Sequence, residues 1–82
     1  MKLKQDIIGI GHNLKRLRKK AGFSQSQFTR ELQLLGISIS CDIYKKMEQN
    51  RYNIRVSELI AMQHILNTSY DEFFQDLNIK DI

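Results

Sequence analysis

The stretch FSQSQFTRELQLLGISISCDIYKKME, residues 23–48, decides how this chain folds. Ser24 followed by Gln27 is a capping box: the serine hydroxyl accepts from a backbone N–H three residues on, and the glutamine reaches back to the cap's own N–H. Phe23 and Phe28 stand in the two positions of a hydrophobic staple around that cap. Phe28, Leu32 and Leu35 give the helix one buried stripe, and Gly36 ends it, because glycine accepts the left-handed conformation just past a last turn. Ser40 then caps a further helix running to about Gln49. Its inner face, Ile43, Tyr44 and Met47, is narrow, and Cys41, Asp42, Lys45, Lys46 and Gln49 are left pointing mostly outward. A short helix with so polar a face is the unusual element of this sequence.

Upstream, Ile10, Leu14, Leu17 and Ala21 recur at helical spacing and predict a first helix, with Asn13 as its N-cap and Gly22 as its stop. Lys15, Arg16, Lys19 and Lys20 fall mainly on its outer face. Ile7 and Ile8 either pack on the core or extend, so residues 1–10 read as an N-terminal arm or a helix extension. Downstream, a fourth helix is predicted from about Val56 to Leu66, burying Leu59, Met62 and Leu66; Ser57 either caps it or lies in its first turn. Ser69 with Glu72 forms a second capping-box pattern, opening a final helix that buries Phe73 and Leu77. Only residues 37–40 alternate as a strand would, too briefly to build a sheet. The expectation is an all-α, compact five-helix domain over residues 11–78, with 79–82 as a tail.

Eighty-two residues make one domain. The single cysteine, Cys41, excludes an internal disulfide framework and fits a reducing cytosol. No apolar run approaches the ~20 residues of a membrane span, and Met1-Lys-Leu-Lys is not followed by a signal-peptide core. A cytoplasmic protein is expected. The net charge is +4, and its placement is uneven: residues 1–35 carry eight Lys/Arg against two acids, residues 52–82 two against five. A basic first half rewards phosphate backbones whatever the base sequence; the plain alternative is a solvated helix surface.

Catalysis would need a nucleophile, an acid/base pair or a metal site. His12 and His64 lack ligand spacing, nothing local marks Cys41 as a reactive thiol, and Gly9-x-Gly11 lacks the preceding strand of a dinucleotide loop. No enzyme activity, cofactor, metal or small-molecule ligand is expected.

A capped helix, a glycine turn and a second short, polar-faced helix form a helix-turn-helix pattern, and an α-helix fits the DNA major groove, where base edges are distinguishable. Here a family resemblance becomes specific. Arg18-Lys-Lys-Ala-Gly22-Phe-Ser-Gln25, then Ser40-Cys-Asp-Ile-Tyr-Lys-Lys-Met-Glu48-Gln-Asn-Arg51, resembles the Xre/Cro family of phage-repressor-like regulators. Leu59 to Leu66 and Ser69-Tyr-Asp-Glu-Phe-Phe74 resemble its tail, so the likeness covers about residues 11–77. The chain departs from the family in a longer connection between Leu32 and Ser40, and in Asn50 where a glycine is frequent; asparagine tolerates positive φ better than most residues.

The resemblance implies a lambda-repressor-like fold and a sequence-specific regulator of transcription, acting as a repressor, with the helix at about 40–49 in the major groove of double-stranded DNA. It places Gln25 and Ser40 at phosphates, with capping alone as the other reading of Ser40. Cys41 and Asp42 fall where bases are read, although an aspartate also suits a helix N-terminus. Lys46 is assigned to a base edge, Lys45 to phosphate, and Asn50 and Arg51 to the backbone beyond the helix. Arg18 and Glu48 are implied as an architectural ion pair. A homodimer through the C-terminal helix, using Tyr70, Phe74 and Ile79, is the implied assembly. The rival expectation is a protein-interaction module of the same fold, antitoxin-like or anti-repressor, without specific operator binding.

Overall fold

A computed structural model describes residues 2–3 as a strand and residues 9–77 in full. Its core draws on every helix: Leu14, Phe28, Leu32, Tyr44, Met47, Met62 and Phe73 have no solvent exposure, and Ile54 joins them from a short strand. In chain order the elements are β1 (Lys2–Leu3), α1 (Gly11–Lys20), α2 (Gln25–Leu34), α3 (Cys41–Glu48), β2 (Ile54–Arg55), α4 (Val56–Leu66) and α5 (Tyr70–Phe73). The described residues are thus mostly helical, with five helices, as expected. The strands form one two-residue antiparallel ladder, Lys2 opposite Arg55 and Leu3 opposite Ile54. The expectations for Ile7, Ile8, Ile79 and the 79–82 tail lie outside the described residues.

Local signals set most boundaries. The Ser24 Oγ accepts from the Gln27 N–H at 3.1 Å, and the Ser24 N–H donates to the Gln27 Oε1 at 2.8 Å. The Phe23 and Phe28 rings meet across this cap, centroids 5.8 Å apart. Gly22, Gly36 and Asn50 take positive φ just beyond α1, α2 and α3. In each case two backbone N–H groups fold back onto the last turn: Gly22 and Phe23 onto Lys19 and Arg18, Gly36 and Ile37 onto Gln33 and Leu32, Asn50 and Arg51 onto Met47 and Lys46. This is the Schellman closure, which satisfies carbonyls that a helix end otherwise leaves unpaired.

Several expectations need correction. Asn13 is not a cap: α1 begins two residues earlier, and Asn13 is buried, its Nδ2 donating to the carbonyls of Phe73 and Gln75 at 3.0 and 2.8 Å. Ala21 is exposed at the end of α1. Leu35 is 49% exposed, because the chain reverses at Gly36 and delivers Ile37 and Ile39 to the core instead. Ser57 lies in the first turn of α4, whose start is closed by the Glu58 carboxylate accepting from the Arg55 N–H at 2.7 Å. Ser69 precedes α5 without a side-chain cap: the Glu72 N–H donates to the Ser69 carbonyl at 3.2 Å, and the Glu72 carboxylate turns to Arg16 at 3.3 Å. Leu66 and Leu77 are half-buried rather than central.

Candidate nucleic-acid interface

The two sides of α3 differ sharply. Ser40 caps it, its Oγ accepting from the Ile43 N–H at 3.2 Å. Tyr44, Met47 and Glu48 are buried, Cys41 and Ile43 half-buried, and Asp42, Lys45 and Lys46 exposed. Gln49, Asn50 and Arg51 continue the exposed rim. Asp42 at the start and the two lysines near the end suit the helix dipole as well. The connection before α3 is braced by Gln33, whose Nε2 donates to the Ile39 carbonyl at 2.8 Å.

The inner side is anchored by a buried polar network. Arg18 meets Glu48 through two hydrogen bonds, Nε to Oε2 at 2.6 Å and Nη2 to Oε1 at 3.2 Å. The Tyr44 hydroxyl donates to Oε2, the Gln25 Nε2 to Oε1 at 3.0 Å, and Arg18 Nη1 to the Phe23 carbonyl at 2.7 Å. One carboxylate therefore ties α1, α2 and α3 together. Burial raises the Glu48 carboxyl, but the hydrogen bonds from Arg18, Tyr44 and Gln25 outweigh it and hold it below its ordinary value. The hydrogen bond to Glu48 raises the Arg18 guanidinium against the opposing effect of burial. Burial, and then the bond to Glu48, push the Tyr44 phenol far up. The ion pair stays charged at neutral pH.

The structure separates the sequence-predicted residues by what their side chains already do. Ser40, Cys41, Asp42, Lys45, Lys46 and Arg51 share the α3 surface and its immediate edge. Arg51 Nη1 lies 3.5 Å from the Gln49 Oε1, a weak surface contact. Gln25 is spent in part on Glu48, and the Asn50 Oδ1 accepts from the Gly11 N–H at 2.8 Å. Sequence reasoning missed Tyr44 as a network member, although its place four residues before Glu48 puts both on one helix face. Nothing in the sequence marked Gln25 as a partner of Glu48.

His12 and His64 are exposed, and among the described residues no group of three His, Cys, Asp or Glu side chains is placed to hold a metal. No helix among them is long and apolar enough to cross a membrane. Comparison with protein-family models, with curated proteins and with solved structures finds no match.

Proposed function

We propose that this chain is a sequence-specific, double-stranded-DNA-binding regulator of transcription with a lambda-repressor-like fold, acting as a repressor in the cytoplasm without catalysing a reaction. α2, the turn at Gly36 and α3 serve as its helix-turn-helix, and α3 enters the major groove. The observation that carries this reading is α3 itself, a capped eight-residue helix with its inner face locked by a buried ion pair and its outer face exposing Asp42, Lys45 and Lys46. Lys46 reads a base edge, Lys45 and Arg51 neutralise phosphate, and Cys41 and Asp42 face bases from the first turn. Ser40 and Gln25 sit where helix N-termini offer N–H groups to phosphate. Exposed Lys15, Lys19 and Lys20 on α1 add to the attractive field.

Selection of bound sequences from random duplex DNA, followed by binding measurements across salt, tests this. Log affinity is expected to fall linearly with log salt, by ~0.9 per phosphate neutralised. Lys46→Ala is expected to narrow the gap between the selected site and a mutated one by ~1–3 kcal/mol, whereas Lys45→Ala weakens both about equally. Affinity indifferent to salt sinks the phosphate-led interface, and uniform losses for both variants sink the assignment of Lys46.

The same reading makes the protein a two-fold dimer on DNA, with half-sites about one helical turn, ~34 Å, apart. Tyr70, which opens α5, and Phe74, which follows it, support it: each is 43% exposed, which leaves apolar surface for a second copy. Footprinting is expected to protect two half-sites with two chains per duplex. Protection of a single half-site at saturation refutes the dimer. A chain that binds no duplex but retains a partner protein on this face supports the interaction-module reading instead.

A further inference from the structure

The turn after α3 is clamped to the start of α1 by one side chain. Asn50 stands in the left-handed region at φ +61°, and its Oδ1 accepts from the N–H of Gly11, the first residue of α1. That N–H is one of the donors a helix start leaves without an internal partner, and Ile10, preceding the helix, offers no side-chain cap. Asn50 thus does for α1, from across the fold, what Ser24 and Ser40 do locally for α2 and α3.

The approach is close. A Cβ on Gly9 would stand 2.1 Å from the Asn50 Oδ1, and one on Gly11 would stand 2.4 Å from the Glu48 carbonyl oxygen and 2.6 Å from that of Met47. The last turn of α3 and the first turn of α1 therefore meet through backbone. Glycine at position 50 would close the turn with less strain; an asparagine there accepts that strain and supplies an acceptor that glycine lacks.

We propose that Asn50 is a positioning residue that fixes the tilt of α3, and that it is not itself a DNA contact. The inference rests on α3 being the DNA-reading helix. The Glu48 network pins the inner face of α3, and a helix pinned on one face can still pivot. The Asn50 clamp supplies a second anchor at the C-terminal end. Base readout needs such rigidity, because donor and acceptor must be held to about half an ångström.

Asn50→Gly and Asn50→Asp separate the roles. In the free protein, hydrogen exchange of the Gly11 amide reports the clamp directly. Asn50→Gly keeps the left-handed turn but loses the acceptor: Gly11 exchange is expected to accelerate about tenfold, and affinity for the selected duplex to fall about fivefold, the worth of one net hydrogen bond. Asn50→Asp keeps an acceptor, and its charge suits the N-terminus of α1, so Gly11 stays protected and the variant binds more tightly than Asn50→Gly. A phosphate-contacting side chain gives the opposite order, because a carboxylate repels phosphate; Asn50→Asp binding more weakly than Asn50→Gly overturns the proposal. Unchanged Gly11 exchange in Asn50→Gly, with duplex binding by the parent protein intact, overturns the clamp alone. Absence of duplex binding by the parent protein, with Gly11 exchange still responding to Asn50→Gly, overturns the DNA reading and with it the purpose assigned to the clamp.

Discussion

Glu48→Ala is expected to destabilise the folded protein by ~3–5 kcal/mol, the cost of leaving one member of a buried ion pair alone. The side chains of Arg18 and Glu48 are 6% and 3% exposed, so water cannot replace what the substitution removes. The loss is shared, because Tyr44 and Gln25 also donate to this carboxylate. Asp71→Ala is the fitting control, an exposed acid whose loss should change little; Asp76 is a poor one, since its φ of +61° brings backbone strain into any substitution. Thermal unfolding of the two variants decides the matter, and similar melting temperatures would mean that the network contributes nothing.

The charge itself has a signature in acid. The folded-state value of Glu48 lies below its ordinary 4.5, so the folded form binds this proton less readily than the unfolded chain. The resulting stabilisation is fully present above about pH 4.5 and is lost as pH falls through the lower folded value. Glu48→Gln keeps the shape without the titration, so its stability is expected to vary less than the parent protein's between about pH 5 and about pH 3.

Gly11→Ala is expected to cost about 3 kcal/mol, the upper part of the usual range for overpacking. The added methyl meets the Asn50 side chain and the backbone carbonyls of Met47 and Glu48, and the two carbonyls cannot step aside without moving α3. Gly36→Ala is the comparison: its Cβ meets nothing within 4 Å, so only the left-handed backbone is penalised, ~1–2 kcal/mol. Urea unfolding midpoints measure both. Gly11→Ala unfolding at the same midpoint as the parent protein would mean that α1 and α3 are not in the close backbone contact described.

What could be read in the sequence was what a few neighbouring residues determine. Ser24 with Gln27, the Phe23–Phe28 staple, the stops at Gly22 and Gly36 and the Ser40 cap all act within one or two turns, and each stands where the pattern put it. The misread residues are those whose partners are far along the chain. Asn13 has the composition of a cap, but a buried amide is satisfied by whatever carbonyls the fold brings to it, here those of Phe73 and Gln75. Ser69 and Glu72 have capping-box spacing, and Arg16 draws the glutamate away. Leu35 keeps helical spacing with Leu32, yet the reversal at Gly36 lets Ile37 and Ile39 take its place. Of the candidate surface, the outward set on α3 was readable from helical periodicity alone. The engagement of Gln25 and Asn50 was not, because each bond joins elements that only the tertiary fold makes adjacent. Gly9 and Gly11 were visible only as a failed nucleotide-loop motif, and their role is to let two helix ends touch.

The bond from Asn13 to the carbonyls of Phe73 and Gln75 also bears on the order in which the chain can settle. During synthesis the N-terminal part emerges first, so α1, α2 and α3 are all outside the ribosome before those carbonyls leave the tunnel. Until residue 75 is free of the tunnel, an α1 packed as in the finished protein would bury an amide with nothing to accept from it, a penalty of ~1–3 kcal/mol. A nascent chain ending short of that point keeps its first helix loosely docked. Those late hydrogen bonds let the first helix seat, so the surface of α3 gains its rigid backing only when α5 and residue 75 are outside the ribosome.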